Sequence, residues 1–379
     1  MRVLHLVSGA TMTGPADPAL QLARTQRERL GYEVAIAFDT IREGDMALRA
    51  REAAVPVEPS LALCTKGGVL RALRDRRRLT ELMTRYDVVH AHASHDHALA
   101  GLAHRSEQGA RLVRTIHHPR SAERRIFQRI AHHRTDALIL LAEAHRRRLL
   151  VSYPRLEPAR LAVIPGAVDP ERFSPDKRGD AIREELGIPL GVPVIGMVAR
   201  FQPGRRQEEL IRALAEIRPA AVSVEPWLAL IGKGETHSQL EAAVKSAGLE
   251  SRTRFYGFRD TDLPEAIRSC DATVLLQEGN DASCRAVLQS LACGVPVIGA
   301  RHAAIVEAIE GHGCGWLVNA GDVGELARTL QHCLSMSPRE RAAMGERARA
   351  RVLARYTETE RARRVDDLYR RVQALPPVR

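Results

Sequence analysis

Short apolar runs that end in loops alternate with longer stretches whose apolar positions recur at helical spacing, and the alternation holds almost throughout the chain. "RVLHLV" precedes the helical pattern "PALQLARTQRERLG", and "EVAIAF" follows. Further on come "DVVHAH" with the helix "HALAGLAHRS", then "RLVRTIH", and "DALILL" with "EAHRRRLLVSY". Four to six consecutive apolar positions predict strands buried on both faces, and the intervening helices make the units βα. An α/β domain with a mostly parallel sheet is expected.

The pattern then restarts. "RLAVIPGAVDPERFSPDKRGDAIREELGIPLG" gathers Gly166, Pro170, Pro175, Pro189 and Gly191, a density of chain breakers that predicts an interdomain crossing. Beyond it "VPVIGMVAR", "WLALIGKG", "TRFYGF", "ATVLLQ" and "VPVIGA" read as strands, separated by helices such as "QEELIRALAEI", "THSQLEAAVKSAG" and "CRAVLQSLACG". The expected division is a first domain over 1–175, a second over 190–360 and a C-terminal helix over 361–379 that crosses back to the first domain. The charged helical stretch "PRERAAMGERARARVLARYTETERARRVDDLYRRVQAL" needs a hydrophobic partner, because short isolated helices are marginal.

Composition narrows the class. At 379 residues, 45% hydrophobic and 27% charged, the chain suits two globular domains, without repeats or low-complexity tracts. A net charge of +11 would attract nucleic acid, acidic lipid or a phosphorylated ligand alike. The aromatic content of 4% is too low for a base-stacking platform, and no recognition module for nucleic acid is present, so nucleic acid is not an expected partner. The arginine-rich runs "RALRDRRRL" and "AHRRRLL" are interrupted by apolar residues at helical spacing and read as solvated helix faces, with a membrane-surface patch as the alternative. The apolar run of "MRVLHLVSG" is too short for a signal-peptide core and no stretch has the length of a membrane span, so a cytoplasmic chain beginning at Met1 is expected. Six cysteines in small-residue or apolar contexts read as reduced, partly buried thiols.

Candidate chemistry falls at the loops after strands, where open α/β sheets bind ligands and helix N-termini favour anions. In "LVSGATMTGPADPALQLA", Gly9 and Gly14 allow close backbone approach, although a plain βα turn would look the same. Arg200 lies just beyond a strand and Arg205 just before a helix; together they could clamp a diphosphate, whereas either alone would read as a solvated loop charge. In "QEGNDASCRAVLQSLACG", Asp281 or Ser283 can cap the helix that carries Gln289, and Gly294 closes it. Taken without context, Asp281 reads as an N-cap and Gln289 as an exposed helix position. His90 and His92 are placed on a strand and His95 and His97 in the following loop. With no compact acidic partner set, these histidines are expected on the surface or in the core, and no metal site is predicted.

In combination these loops resemble the retaining glycosyltransferases of family 4, from Met1 to about Leu375. The recurring elements are "RVLHLVSG", "DVVHAH", "RTIHH", "RLAVIPGAVDPERF", "GMVARFQPGRR", "WLALIGKGE", "RFYGF", "DASCRAVLQSLACGVPVIGA" and "VEAIEGHGCGWLV". The resemblance implies the GT-B architecture, two Rossmann-like domains with mostly parallel sheets facing across a cleft. It implies that Gly14 approaches the donor phosphates, that His117 lies near the reacting sugar, and that Arg200 and Arg205 hold the diphosphate. It also places Ser283, Cys284 and Arg285 in the phosphate cradle, Asp281 at the donor sugar and Gln289 at the nucleotide ribose. No cofactor is implied beyond a nucleotide-diphosphate sugar as co-substrate, and catalysis would be metal-independent.

Three positions depart from the family pattern. Asp281 stands for the first glutamate, with Glu278 as a competing candidate; Arg205 stands for a lysine; and Gln289 stands for the second glutamate. A carboxylate accepts from both ribose hydroxyls, whereas an amide offers one acceptor oxygen, a loss of about 1 to 2 kcal/mol. The expected function is transfer of a sugar from a nucleotide-sugar donor to a glycan or lipid-linked acceptor in polysaccharide biosynthesis, with retention at the anomeric carbon. The alternatives are an impaired sugar-nucleotide-binding protein or partner subunit, favoured by Gln289, and a sugar-nucleotide epimerase. The acceptor is expected on the first domain, where Arg120, Arg124, Arg125, Arg129 and Arg134 follow His117, and an anionic membrane on the inner face of the plasma membrane is a further expected partner.

Overall fold

A computed structural model describes residues 1–12, 14–104, 109–118, 126–217, 224–277 and 284–376, the side chains of 126–129 excepted. The chain divides into two compact units: unit 1 takes 1–167 and 358–379, and unit 2 takes 168–279 and 284–357.

Unit 1 contains β1 (Arg2–Val7), α1 (Ala16–Leu30), β2 (Glu33–Phe38), α2 (Met46–Glu52), α3 (Gly68–Leu82), β3 (Val88–Ala91) and α4 (Ser94–Ala103). It continues with β4 (Arg111–Ile116), α5 (Ile126–His133), β5 (Ala137–Leu140), α6 (Glu143–Ser152) and β6 (Leu161–Val163). The six strands pair in the order β2-β1-β3-β4-β5-β6, every pairing parallel. Alternate residues feed different cores: Val3, Ile36, Val88 and Val113 join one cluster, while Leu4, Leu6, Val89 and Leu112 join another. Both faces are therefore buried, which is why these strands read as continuous apolar runs.

Unit 2 contains α7 (Asp180–Glu185), β7 (Val194–Val198), α8 (Gln207–Ala215), β8 (Trp227–Ile231), α9 (His237–Ser246), β9 (Thr253–Gly257) and α10 (Leu263–Arg268). After these come β10 (Ala272–Leu275), α11 (Arg285–Ala292), β11 (Val297–Ala300), α12 (Ala303–Ile309), β12 (Gly315–Val318), α13 (Val323–Ser335) and α14 (Pro338–Arg355). Its sheet runs β12-β11-β10-β7-β8-β9, again parallel. β12 is a sixth strand that the pattern did not predict. Its residues, "GWLV", follow a Gly-rich turn and include only three consecutive apolar positions, short of the four to six that mark the other strands. Likewise the stretch read as a crossing opens with the three-residue strand β6.

The charged C-terminal stretch is two helices with different partners. α14 starts on a capping box between Ser337 and Glu340 and buries Met344, Ala348 and Val352. The last two belong to the cluster that holds Leu288 and Leu291 of α11. Arg349 donates to the carbonyls of Pro170, Phe173 and Ala292, tying residues 170–173 to unit 2. After Tyr356 the chain continues as α15 (Glu358–Ala374), which buries Val365, Leu368, Tyr369 and Val372 in the unit 1 core beside α1. Burying each of its aliphatic side chains contributes about 1.5 to 3 kcal/mol, which offsets the low intrinsic stability of so charged a helix.

One local expectation fails. His95 and His97 lie in α4, because the helix begins at Ser94 rather than at His97. The arginine-rich run on α3 is a solvated face, as expected: Arg74, Arg76 and Arg77 are exposed while Leu79 and Leu82 are buried, and Val69, Leu70 and Leu73 are exposed as well. The buried polar residue there is Asp75, whose carboxylate accepts from the N–H groups of Ala62 and Leu63. The six cysteines are all buried and unbridged. Among the described residues no helix is long and apolar enough to cross a membrane.

Candidate functional site

Strand order reverses between β1 and β3 in unit 1 and between β7 and β10 in unit 2, so the crevices for ligands lie at the carboxyl ends of those strands. The residues singled out from the sequence fall at these two places.

In unit 2 the loop from β7 to α8 carries both arginines. Gly204 has φ of 80° and Arg206 φ of 65°, so two left-handed residues flank Arg205. The glycine adopts this conformation at no steric cost, whereas at Arg206 it costs about 1 kcal/mol or more. The loop is latched from below by the buried Gln207, whose amide donates to the Arg200 carbonyl at 3.0 Å. Arg206 is neutralised by Glu209. For Arg205, burial and then the neighbouring Arg200 charge lower the proton affinity. Two guanidiniums are thus held near each other without a described carboxylate partner, an arrangement that an incoming diphosphate would stabilise.

Arg200 also lines a cavity of about 450 Å³ at the carboxyl ends of β7, β8 and β9, together with Lys233, Phe258 and Arg259. The backbones forming it approach so closely that only glycine fits: a Cβ at Gly232 would lie 2.0 Å from the Ala199 carbonyl oxygen, and one at Gly234 would lie 2.1 Å from that of Phe201. Phe258 is 64% exposed, and the Lys233 ammonium sits 4.9 Å from its ring centroid. Lys233 and Phe258 stand in the motifs "WLALIGKGE" and "RFYGF" but received no role from sequence.

Asp281, Ser283 and the competing Glu278 lie outside the described residues. The first described residue before α11 is Cys284, at φ of 51°. A left-handed residue there turns the chain sharply into the helix. On α11, Val287, Leu288 and Leu291 are buried, while Arg285 and Gln289, one turn apart, share the partly exposed side.

In unit 1, Gly14 has φ of 50° in the loop after β1, and a Cβ at this position would have nothing within 4 Å. His117 follows β4 and is 2% exposed. Its Nε2 lies 3.1 Å from Nδ1 of His92, whose Nε2 lies 3.0 Å from Nδ1 of His5. His92 follows β3, and its backbone N–H, like that of Ala93, donates to the buried Asp96 carboxylate. Burial pushes Asp96 up to about 6, against the pull of those backbone bonds and of Arg114. Ser8, after β1, also donates to Asp96. His5, His90 and His92 offer nitrogens within 4.8 Å of one another, a spacing that could suit a metal. Their ring nitrogens are already bonded to one another or to Gln26, Thr115, Tyr369 and His117, so the trio is a hydrogen-bonded network rather than an open ligand set. Of the arginines expected to receive an acceptor, only the Arg134 side chain is described; it donates to the Gly101 carbonyl.

The chain has relatives over both units. The Glycosyltransferase Family 4 domain matches residues 19–172, and the Glycosyl transferases group 1 domain matches 179–351. A D-inositol 3-phosphate glycosyltransferase of Stackebrandtia nassauensis is 29% identical over 215 residues, 54% of this chain and 47% of that one. An N-acetyl-alpha-D-glucosaminyl L-malate synthase of Bacillus anthracis is 28% identical over 188 residues, 50% of this chain and 48% of that one. The matched stretch therefore spans about half the length of these curated relatives. Among solved structures, Anabaena HepE in complex with UDP superposes with a TM-score of 0.81 at 21% identity, covering 99% of this chain and 100% of that chain. The same protein has been solved with UDP-glucose. That likeness establishes the two-domain α/β GT-B fold, and with both halves of the chain matched by glycosyltransferase families, the protein belongs to the group 1 glycosyltransferases.

Proposed function

We propose that this protein is a retaining glycosyltransferase that moves a sugar from a nucleotide-diphosphate donor to a glycan or lipid-linked acceptor. The observation that carries the proposal is the juxtaposition of Arg200 and Arg205 on a loop held in left-handed geometry at the switch point of the unit 2 sheet. In the transition state negative charge grows on the leaving diphosphate. Two preorganised guanidiniums and the N-terminus of α11 stabilise it without a metal ion. The 450 Å³ cavity beside Arg200, with Phe258 and Lys233 at its edge, suits the nucleoside end of the donor. UDP in the HepE complexes favours testing uridine donors first.

The acceptor hydroxyl attacks the anomeric carbon on the face from which the diphosphate departs. The new glycosidic C–O bond forms as the sugar–phosphate C–O bond breaks, and the hydroxyl proton passes to a departing phosphate oxygen. Retention follows, and no separate protein base is required. His117, with Asp281 by family resemblance, orients the donor sugar. Lipid-linked or phosphorylated glycans at an anionic membrane surface are the proposed acceptor class, in keeping with the net charge of +11.

A second reading is favoured by one residue: Gln289 on the partly exposed side of α11. In that reading the protein binds sugar nucleotides without turning them over. Titration with a panel of nucleotide sugars followed by a turnover assay separates the two. Transfer or slow donor hydrolysis is expected. Tight binding without either, across plausible acceptors, would establish the binding protein instead, and isomerised donor formed without acceptor would reveal an epimerase.

A further inference from the structure

α3 is buried along its later turns and exposed along its first. Asp75, Leu79 and Leu82 are buried, the two leucines in a cluster that covers one face of the unit 1 sheet. Before them, Val69, Leu70 and Leu73 are 77%, 85% and 52% exposed. At 3.6 residues per turn these three fall within about 100° of the helix circumference, on the side opposite Asp75, Leu79 and Leu82. Arg74, Arg76 and Arg77, all exposed, border that side and continue it into the next turn. Arg74 and Arg76 have no carboxylate partner among the described residues, while Arg77 and Arg78 share Glu81.

The backbone beneath this patch is fixed. The Asp75 carboxylate accepts from the N–H groups of Ala62 and Leu63 in the segment that leads into α3. The Thr40 N–H donates to the Ala62 carbonyl, so the turn bearing the exposed Ile41 is tied to the same segment. Residues around Val57 pair parallel with β2, and α3 then returns against the strands. Its first turns therefore lie towards the carboxyl edge of the unit 1 sheet, the edge that carries Gly14 and His117. The other arginine-rich helix, α6, differs: Leu149 is buried, Leu150 is partly buried and Val151 alone is fully exposed. A single exposed aliphatic residue is ordinary, whereas a contiguous apolar group points to a partner.

We propose that the first turns of α3, with Ile41, dock this protein on an anionic lipid bilayer. Val69, Leu70 and Leu73 enter the acyl boundary and the bordering arginines meet the headgroups. A second copy of this chain is the poorer match, because a two-fold contact through this side would set Arg74, Arg76 and Arg77 against their own counterparts. The proposal deepens the acceptor class given above and rests on that reading only for its purpose. Docking would bring the carboxyl edge of the unit 1 sheet to the layer where a lipid-linked glycan presents its hydroxyl.

Flotation of the full-length protein with vesicles tests the docking, using phosphatidylcholine alone or phosphatidylcholine mixed with an equal part of phosphatidylglycerol. Binding to the anionic vesicles is expected at low ionic strength, weakening as salt is added, with little binding to the neutral ones. Leu70→Ser/Leu73→Ser, at positions the fold leaves exposed, should lower the partition coefficient about tenfold or more. Arg74→Gln/Arg76→Gln should lower it by about fivefold per arginine. Insertion is read separately: because all six natural cysteines are buried, Leu70→Cys supplies an accessible thiol for a polarity-sensitive fluorophore. Its emission should shift to the blue on anionic vesicles, and the same label on Val151→Cys should not shift. Failure to bind anionic vesicles at low ionic strength overturns the proposal, as does equal binding by the leucine variant. A label that shifts at position 151 in place of position 70 moves the docking to α6 and overturns it too. A dimer abolished by the leucine substitutions would give the face to a second copy instead. No sugar donor enters these measurements, so absence of turnover counts against the glycosyltransferase reading alone.

Discussion

The two units share one topology, a six-stranded parallel sheet with a single reversal of strand order, yet they bury opposite kinds of chemistry. Unit 1 buries His5, His90, His92, His97, His117 and His132, together with Arg114 and Asp96. Unit 2 leaves His237, His302, His312 and His332 partly or fully exposed, and it holds five of the six cysteines, 270, 284, 293, 314 and 333. At the switch points the contrast turns over. Unit 1 presents a neutral, hydrogen-bonded histidine line, and unit 2 presents two neighbouring cations, without a carboxylate partner among the described residues, on a loop with left-handed residues. The same scaffold thus positions a line of hydrogen-bonded imidazoles in one unit and two neighbouring guanidiniums in the other. Topology selects where a ligand sits, while the loop residues select what it can be.

Acid should break the contrast most strongly. The folded proton affinities of His5 and His132 are lowered to about 4 and about 3, and those of His90 and His92 lie well below the ordinary value of 6.5. For a group lowered on folding, the unfolded chain takes up protons first as pH falls. Stability is therefore full above about pH 6.5 and is lost downward, by about 1 to 1.5 kcal/mol per histidine per pH unit until the folded value is reached. Asp96, raised to about 6, works in the opposite sense: its penalty grows as pH rises from about 4 to 6 and is relieved on acidification. One carboxyl does not offset four histidines. Hydrogen exchange at pH 7 and pH 5 should show protection lost in unit 1 and kept in unit 2; equal loss in both would contradict the assignment of buried neutral histidines.

The clamp comes next. Arg205→Ala should lower kcat/KM by about a hundredfold to a thousandfold, the scale of removing one preorganised charge-stabilising donor, and should weaken UDP binding as well. His117→Ala should lower kcat while leaving UDP affinity within about twofold, because its proposed role is at the sugar and not at the diphosphate. Calorimetry with UDP distinguishes the two variants, and loss of UDP binding in His117→Ala would show that the division of labour is wrong.

A smaller effect is expected at α11. Gln289→Glu should raise nucleotide affinity by up to about tenfold, the equivalent of one charge-assisted hydrogen bond, with an unchanged product. Activity appearing only in this variant would mark the natural chain as a remnant. The least perturbed readout is thiol labelling. With all six cysteines buried and Cys270, Cys293 and Cys333 pushed up to about 12 by burial, an alkylating reagent should leave the native protein almost unmodified. Rapid labelling in the absence of denaturant would show that unit 2 opens.

Much of the fold was legible because its strands are buried on both faces. Val3 and Leu4, adjacent in sequence, enter different cores, so "RVLHLV" has to be apolar at nearly every position. Short elements escaped: β12 carries only three consecutive apolar residues, Trp316 to Val318, and β6 is three residues in a stretch dense in proline and glycine. Arg200 and Arg205 were legible from their place between a strand and a helix. Lys233 and Phe258 were not assigned, because their closeness depends on β8 and β9 being neighbours. His90 and His92 were visible as residues, but the sequence offered surface or core with no reason to choose, and nothing in "RVLHLV" marked His5.

By itself the sequence determined the local physics: which runs become strands, which become helices, where the chain must turn, and which loops bear cations. Tertiary structure decided how those pieces meet. It divided the charged C-terminal stretch between two cores and made Cys284 the left-handed entry to α11. It also aligned His5, His92 and His117 from strands separated by 87 and then by 25 positions in the chain. The physical reason is that burial and hydrogen-bond direction depend on sheet register, and register in a parallel sheet is fixed by crossovers between distant segments rather than by any local preference.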